Sequence, residues 1–280
     1  MLRRIPTDDL RMPLRISVIT PSFQQARFLK WTMASVLEQE YRHTEYIVVD
    51  GGSTDGSREL IQAIAGQLSW WCSEPDRGQG HAINKGLLAS TGDVVGWLNS
   101  DDMLLPHALN SVAEAFRDPT VDAICGWGVM MSESGRVSRR WVFTQPSMQV
   151  LLSSSVLFQP SVFWRRSVLD RIGLLDESYK LCMDQEYFAR MAAHGIVPKL
   201  VARFLAAYRR HSSTKTSLDP SGGARESSAV AHRYSPAAVR TRRPLKDVAL
   251  RFFWHKAASM LPPYARGMNV HLLYRAGDRT

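Results

Sequence analysis

Apolar and polar positions fall in blocks along the first 130 residues, and the period changes from block to block. Arg15 to Thr20 is an apolar run broken by Pro21, which predicts a short buried strand. "ARFLKWTMASVLEQ" then carries Phe28, Leu29, Met33, Val36 and Leu37 at helical spacing. "EYIVVD" is a second buried strand ending at Asp50, and "GGSTDGS" is a turn. "TDGSRELIQAIAG" predicts a helix with Thr54 or Asp55 as its N-cap. "LSWWCSEPD" reads as a third strand, "GHAINKGLLAST" as a helix and "DVVGWLN" as a fourth strand. "LPHALNSVAEAFRD" is a helix begun by Pro106, and "VDAICGWGVMM" is a fifth strand. Such alternation predicts an α/β fold with a mostly parallel sheet wrapped by helices.

The second half is less regular. "GRVSRRWVF" predicts a hairpin strand, and "QPSVFWRRSVLDRIG" a strand running into a helix. "DQEYFARMAAHG" is a helix closed by Gly195, and "VPKLVARFLAAYRRH" returns as strand. From Ser212 to about Pro244 the chain is rich in Ser, Thr, Gly, Ala and Arg and is expected to be mobile. "LKDVALRFFWHKAASML" is a basic amphipathic helix candidate. The organisation expected is a catalytic domain over 14–217, a mobile linker over 218–244 and a basic helical tail over 245–280.

Composition changes this picture little, and charge changes it more. With 280 residues, 45% hydrophobic and 22% charged, the chain is long enough to bury a sizeable core. No apolar run approaches the roughly 20 residues of a membrane span. Met1 to Leu14 mixes charges with prolines and lacks the apolar stretch of a signal peptide. Cys72, Cys125 and Cys182 lie far apart, which suits a reducing compartment and argues against zinc. The net charge is +9, and +8 of it falls after Ser221, where 11 Lys/Arg face 3 Asp/Glu. A basic tail calls for an anionic partner. Phe252, Phe253 and Trp254 beside Arg251 and Lys256 suit a bilayer surface, and no nucleic-acid motif is recognised. A helix packed on the catalytic domain is the other reading of this tail.

In open α/β sheets ligands bind at the carboxyl ends of the strands. Here those ends are Thr20-Pro21-Ser22, Asp50-Gly51-Gly52, Glu74-Pro75-Asp76 and Asn99-Ser100-Asp101-Asp102. Grouped carboxylates repel unless a hard cation such as Mg2+ or Mn2+ neutralises them, and Mg2+ is commonly shared between carboxylates and substrate phosphates. Glycine-rich turns offer backbone N–H groups to a diphosphate. A helix cap ahead of Pro106 is the plainer role for the two aspartates. There is no GxxxxGK[ST], GxGxxG or GxSxG, which sets aside P-loop, dinucleotide-fold and nucleophile-elbow chemistry.

Four segments in this order and spacing, "ITPSFQQARFLKWTMASVLEQ", "YIVVDGGSTDGS", "SEPDRGQGHAINKGLLASTGDVVGWLNSDD" and "MDQEYFARM", resemble glycosyltransferase family 2. The resemblance runs from about Ile16 to about Ser217. It implies the GT-A fold, with nucleotide-sugar binding in the first half and acceptor binding in the second. It implies inverting transfer of a sugar from a nucleotide diphosphate to an acceptor hydroxyl, in cell-surface polysaccharide or glycolipid synthesis, at the cytoplasmic face of the membrane. A GT-A module that binds a nucleotide sugar without turnover is the alternative.

By the same resemblance "NSDD" is the acidic metal motif, with Asn99 where an Asp is common, Asp102 as the better metal ligand and Asp101 as the better ribose contact. The implied cofactor is Mg2+ or Mn2+, and His211 resembles a late histidine that reaches the metal or diphosphate. Thr20, Pro21, Ser22 and Asp50 match nucleotide-holding positions. Gly51 stands where many relatives carry a base-reading acid, and Asp76 is the acid left to do that reading. Lys85 and Arg77 are candidates to face phosphates, and Phe158 to Arg166 to line the acceptor side. Asp184 matches the catalytic base, a position that also suits a helix N-cap. Trp70, Trp71, Trp97 and Trp127 are candidates to stack on sugars or to fill the core. The implied acceptor is a carbohydrate or a lipid-linked molecule.

Overall fold

A computed structural model of the chain describes residues 13–154, 156–235 and 267–274. The first half builds one α/β layer structure. Strands β1 (Ile16–Ser22), β2 (Thr44–Asp50), β3 (Trp70–Ser73) and β4 (Val94–Trp97) alternate with helices α1 (Ala26–Leu37), α2 (Ser57–Ala63) and α3 (Gln79–Ala89). β1 pairs in parallel with both β2 and β4, and β2 with β3. β1 is buried along its whole length, as its apolar run requires when helices cover both faces. Each fully buried Ile, Leu or Val here contributes roughly 1.5–3 kcal/mol.

The second half is mixed. β5 (Met103–Leu104), α4 (Ala108–Ala115), β6 (Ala123–Met131), β7 (Val137–Trp141) and α5 (Met148–Ser153) are followed by β8 (Phe163–Arg165), α6 (Ser167–Ile172), α7 (Met183–Ala193) and β9 (Lys199–Arg209). The chain then forms a short α8 (Lys215–Leu218) and a longer α9 (Pro220–Tyr234). The sheet runs β3-β2-β1-β4-β8-β6-β9-β5, with β7 hairpinned on β6. β8 is antiparallel to β4 and β6, so it joins the two halves into one continuous sheet. Trp164 of β8 is fully buried at this junction, with its ring edge-on to Trp97 and tilted against Tyr187. The α/β expectation and the order of elements are borne out.

Three expectations need correction. The helix predicted from Thr54 or Asp55 starts at Ser57, after Gly56 at φ 98°. Asp55 still accepts from Ser57 N, and it also accepts from Ala26 N at 2.9 Å, tying α2 to α1. Asp101 and Asp102 cap no helix, because β5 stands between them and α4.

The third correction concerns 218–244. Residues Pro220–Tyr234 of this expected mobile linker form α9, packed on α7 and α5. Asp219 caps it by accepting from Gly222 N at 2.7 Å, and Pro220 occupies the first turn, where its missing N–H costs nothing. Tyr234 then donates to buried Glu186 of α7 at 2.6 Å. The boundary placed at residue 217 is therefore no break in packing. Residues 267–274 also return to the body, where Val137 N donates to Met268 O at 2.7 Å. The amphipathic helix expected over 245–261 lies outside the described residues. Among those residues, no helix is long and apolar enough to cross a membrane. The three cysteines are free thiols.

Candidate functional site

The carboxyl ends of the parallel strands open into a cavity of about 770 Å3, within the roughly 300–1,000 Å3 typical of ligand pockets. Pro21 and Ser22 of β1, Gly51 after β2, Asp76 after β3, and Asn99 with Asp101 after β4 line one wall. Ser22 Oγ is buried there with no hydrogen-bond partner, a polar atom left for a ligand. Phe158, Gln159 and Pro160, from the stretch expected on the acceptor side, also line the cavity with Met130, Trp141 and Tyr208, and Gln159 Oε1 accepts from Asn99 Nδ2 at 3.2 Å. Phe158 reaches this place because Gly128 has no side chain. A Cβ at Gly128 would sit 1.9 Å from the ring.

Asp101 and Asp102 part at a turn in which Asp102 N donates to Asn99 O at 3.0 Å. Asp101 lines the cavity, and its Oδ2 lies 2.9 Å from His211 Nε2. Asp102 is fully buried. Its Oδ1 accepts from Arg209 N at 2.9 Å and its Oδ2 from Asn99 Nδ2 at 3.3 Å. Burial, and then the charge of Asp101, push the Asp102 carboxyl well above the usual range. The acid at the cavity is Asp101, and Asp102, expected as the better metal ligand, is buried behind the loop that it anchors. Thr32 Oγ1 pins the same loop against Ser100 O and Asp102 O at 2.9 and 2.6 Å.

Asn99 is held by Gln79, which donates to its Oδ1 at 2.8 Å, and Lys215 Nζ donates to Gln79 Oε1 at 2.9 Å. Lys215 lines the cavity, and burial pushes its ammonium below the usual range. Lys180 lines it too, from the loop before α7. These two lysines bring positive charge to the cavity, and neither was singled out in the sequence. "HSSTK" puts Lys215 four residues after His211, which was the only local signal.

The donor set fits a divalent ion held jointly with a ligand. Among the described residues no group of three or more His, Cys, Asp or Glu could hold a metal unaided. Asp101 and His211 supply one carboxylate and one imidazole, which suits Mn2+ or Mg2+ completed by phosphate oxygens. Arg27 Nη2 lies 3.3 Å from His211 Nδ1 and donates to Ser213 Oγ at 3.0 Å. Nδ1 also lies 2.9 Å from Ser213 Oγ, a hydroxyl that can accept its proton and so leave the Nε2 lone pair facing Asp101 for a cation.

Asp184 lines the cavity as the second residue of α7, whose N-cap is Cys182, so it is not the cap. Burial pushes its carboxyl above the usual range, against the hydrogen bond it accepts from Gln185 N at 2.8 Å. The loop ahead of it is fixed by Glu226 of α9. That one carboxylate accepts from Lys180 N, Leu181 N and Cys182 N at 3.0, 2.8 and 2.8 Å.

Four expected donor contacts lie off the cavity wall. Thr20 is fully buried and accepts from Tyr46 OH at 3.1 Å. Asp50 is buried under the β2 turn, where it accepts from Ser53 N, Ser53 Oγ and Ser73 Oγ at 2.9, 2.6 and 2.7 Å. Lys85 pairs with Glu74 at 2.7 Å, and Arg77 with Glu177 at 2.8 Å. Of the four tryptophans named, only Trp97 touches the cavity, from a buried position against Phe188. Trp141, which was not named, lines it more openly.

Asp76 occupies the space a side chain at position 51 would need. A Cβ on Gly51 would lie 2.8 Å from Asp76 Oδ2 and 3.2 Å from Phe23. Asp76 Oδ1 is used by Gly78 N at 2.6 Å.

Comparison with known proteins bears on this arrangement. The family model described as Glycosyl transferase family 2 matches residues 17–173. An uncharacterized glycosyltransferase of Nostoc sp. is 30% identical over 175 residues, covering 58% of this chain and 54% of the relative. TuaG of Bacillus subtilis, named for teichuronic acid biosynthesis, is 39% identical over 90 residues, 31% of this chain and 36% of TuaG. Two solved structures share the fold. Staphylococcus aureus TarS with UDP-GlcNAc gives a TM-score of 0.61 at 18% identity, over 73% of this chain and 61% of that one. The Pyrobaculum calidifontis mannosyltransferase PcManGT with GDP-Man and Mn2+ gives 0.55 at 19% identity, over 90% and 82%. The chain spans about half the length of the Nostoc relative.

Proposed function

The chain belongs to glycosyl transferase family 2 and has the GT-A fold, and from that premise we propose that it moves a sugar from a nucleotide-diphosphate donor to an acceptor hydroxyl with inversion. One observation carries the reading: Asp101 and Asp184 line a single cavity at the carboxyl ends of β1, β2 and β4, and His211 meets Asp101 from behind that wall at 2.9 Å. The nucleotide lies along the wall of Ser22, Gly51 and Asp76. Its diphosphate faces Asp101, His211 and the ammonium groups of Lys215 and Lys180. Asp101 and His211 would hold a divalent ion together with the ligand's phosphate oxygens, and such an ion would stabilise charge on the departing diphosphate. The donors bound to TarS and PcManGT motivate the nucleotide sugar, and Mn2+ in PcManGT motivates the ion.

Asp184 acts as general base. The acceptor hydroxyl attacks C1 from the face opposite the diphosphate, a C–O bond forms as the bond to the diphosphate breaks, and Asp184 takes the hydroxyl proton. Burial raises its proton affinity, which suits that task at neutral pH. Trp141, Phe158 and Tyr208 receive the acceptor, a carbohydrate or a lipid-linked one. TuaG's name motivates a place in cell-surface polysaccharide synthesis. The basic tail around Phe252, Phe253 and Trp254 supplies a peripheral contact with an anionic membrane at its inner face.

The test is nucleoside diphosphate release from a panel of hexose donors on UDP, GDP, dTDP and CDP, with Mn2+ and alkyl glycoside acceptors. One donor class should turn over in the wild type and not in Asp184→Asn. Equal release by both proteins, or none by either, sinks the proposal. Flotation with anionic vesicles tests the tail: Phe252→Ser, Phe253→Ser and Trp254→Ser together should abolish binding.

A further inference from the structure

Residues 267–274 lie beyond the family match and beyond the stretch that resembles the family, yet they end beneath the acidic loop. Gly267 N donates to Val137 O and Val270 N to Gly135 O, both at 2.8 Å. Val270 and Tyr274 are buried in a small core with Met103, Leu105, Val129 and Met131. Tyr274 OH donates to Leu104 O at 2.6 Å. These contacts suffice to anchor a returning chain. His271 makes one that anchoring does not need: its ring stacks on Trp31, 4.2 Å away and 3° from parallel, and its Nε2 lies 2.8 Å from Arg209 Nη1.

Arg209 is fully buried, and a buried guanidinium must find acceptors for its N–H groups. Its Nε donates to Asp101 O at 2.8 Å and its Nη1 to Glu133 O at 2.7 Å. Its own backbone N holds Asp102 Oδ1. Arg209 therefore grips both members of the acidic pair, Asp101 by its carbonyl and Asp102 by its carboxylate. Its Cζ also lies 4.7 Å from the centre of the Phe28 ring, which in turn packs on His211. Because Arg209 has only donors, His271 Nε2 must accept, so the ring is neutral with its proton on Nδ1. Burial and the Arg209 charge hold its pKa at about 4, which keeps it neutral at working pH.

We infer that His271 is a positioning residue of the donor site: by accepting from Arg209 it sets the guanidinium that holds the Asp101 backbone, and so aims the Asp101 carboxylate at His211 and the cavity. The C-terminal segment then completes a site whose other parts come from the first 215 residues. This rests on the reading of Asp101 as a donor-site ligand.

The experiment is calorimetric titration of the full chain with UDP, GDP, dTDP and CDP, each with Mn2+, beside the melting temperature of each protein. Asp101→Asn should lose binding of the preferred nucleotide. His271→Ala should weaken it about 10- to 100-fold, the size of effect seen when an outer-shell partner of a metal ligand is removed. His271→Gln, whose amide oxygen can accept from Arg209, should stay within about threefold of wild type. Tyr274→Phe should lower the melting temperature and leave affinity unchanged. If His271→Ala binds like wild type while Asp101→Asn does not, the positioning role is overturned and the donor-site reading stands. If Tyr274→Phe loses affinity in step with stability, the segment is only an anchor and the inference also falls. If Asp101→Asn binds normally, or the wild type binds none of the four, the donor-site reading fails and takes this inference with it.

Discussion

His211 Nε2 and Asp101 Oδ2, 110 residues apart in the chain, meet at 2.9 Å at the wall of the cavity, and the His211 side chain is fully buried there. A buried imidazole whose Nδ1 can donate to Ser213 Oγ while Nε2 faces a carboxylate is placed as a ligand rather than as a surface group. Asp101→Asn is expected to abolish Mn2+-dependent nucleotide binding, and His211→Ala to weaken it about 10- to 100-fold. Titration with and without Mn2+ checks both, and a His211→Ala protein that keeps wild-type Mn2+ dependence would remove His211 from the site.

Asp184 is half-buried at the cavity wall, and the loss of water around its carboxyl raises its pKa. A carboxyl whose folded pKa lies above its unfolded value stabilises the fold only at low pH, and that contribution is lost as pH rises through the folded value. At neutral pH the ionised Asp184 is therefore a burden on stability. Asp184→Asn is expected to melt no lower than wild type at pH 7 while losing about 10²–10⁴ in kcat. In the wild type, kcat should fall on the acid side at a pH above the usual aspartate value of 3.8. Thermal melts and a pH–rate profile decide it. A variant that loses activity only in proportion to lost stability would show a structural residue instead.

The strands and their carboxyl ends were legible because apolar runs and glycine-rich turns are local signals. Which of Asp101 and Asp102 faces the cavity was not, since that depends on how Thr32 and Arg209 hold the loop, and both come from distant segments. Asp50 misled for a related reason: a strand-end acid can shape its own turn instead of meeting a ligand. α9 was hidden because its sequence has little apolar stripe. Its helix depends on the Asp219 cap and on the polar anchors Glu226 and Tyr234, whose partners lie 44 to 48 residues away. Lys215 and His271 carry no signal until β9 and the C-terminal segment are folded against the loop.

Gly51 and Asp76 share one space, so the acid that reads the base is expected to come from the β3–α3 loop. Gly51→Asp would set a second carboxylate against Asp76, with its Cβ 2.8 Å from Oδ2, and should lower affinity for every nucleotide. Asp76→Ala should act selectively. A carboxylate accepts only, so it favours bases that present a ring N–H, and a hydrogen bond to a charged group contributes about 1.5–3 kcal/mol, or roughly 10- to 150-fold. Affinities for UDP, GDP, dTDP and CDP measure it, and a uniform loss across all four would assign Asp76 to loop structure.

His271 gives the fold a measurable pH dependence. Its folded pKa of about 4 lies below the unfolded value of 6.5. Between those values the unfolded chain binds a proton that the folded one refuses, so stability falls as pH drops from about 6.5 toward about 4. Lys30 and Arg209 are the charges that enforce this, after burial. His271→Gln cannot titrate. The melting temperature of wild type minus that of His271→Gln should therefore shrink steadily as pH is lowered through this window, and a constant difference would mean that the imidazole is not held neutral by Arg209.

Glu226 offers the last test, through its hold on the loop that leads into Asp184. Its carboxylate takes the three backbone N–H groups of Lys180, Leu181 and Cys182, a loop that ends two residues before Asp184. Glu226→Gln keeps one oxygen but turns the other acceptor into a donor facing those N–H groups. The loop must then shift, and with it Asp184 and Lys180, while Asp101, His211 and the base wall keep their own supports. The expected signature is a fall in kcat of about tenfold or more, with a smaller loss of nucleotide affinity through the displaced Lys180, since general-base catalysis depends on hydrogen-bond reach. Steady-state kinetics beside nucleotide titration separate the two. Equal losses in both would mean that α9 supports the whole cavity rather than the base loop, and no loss in either would mean that the loop holds Asp184 without it.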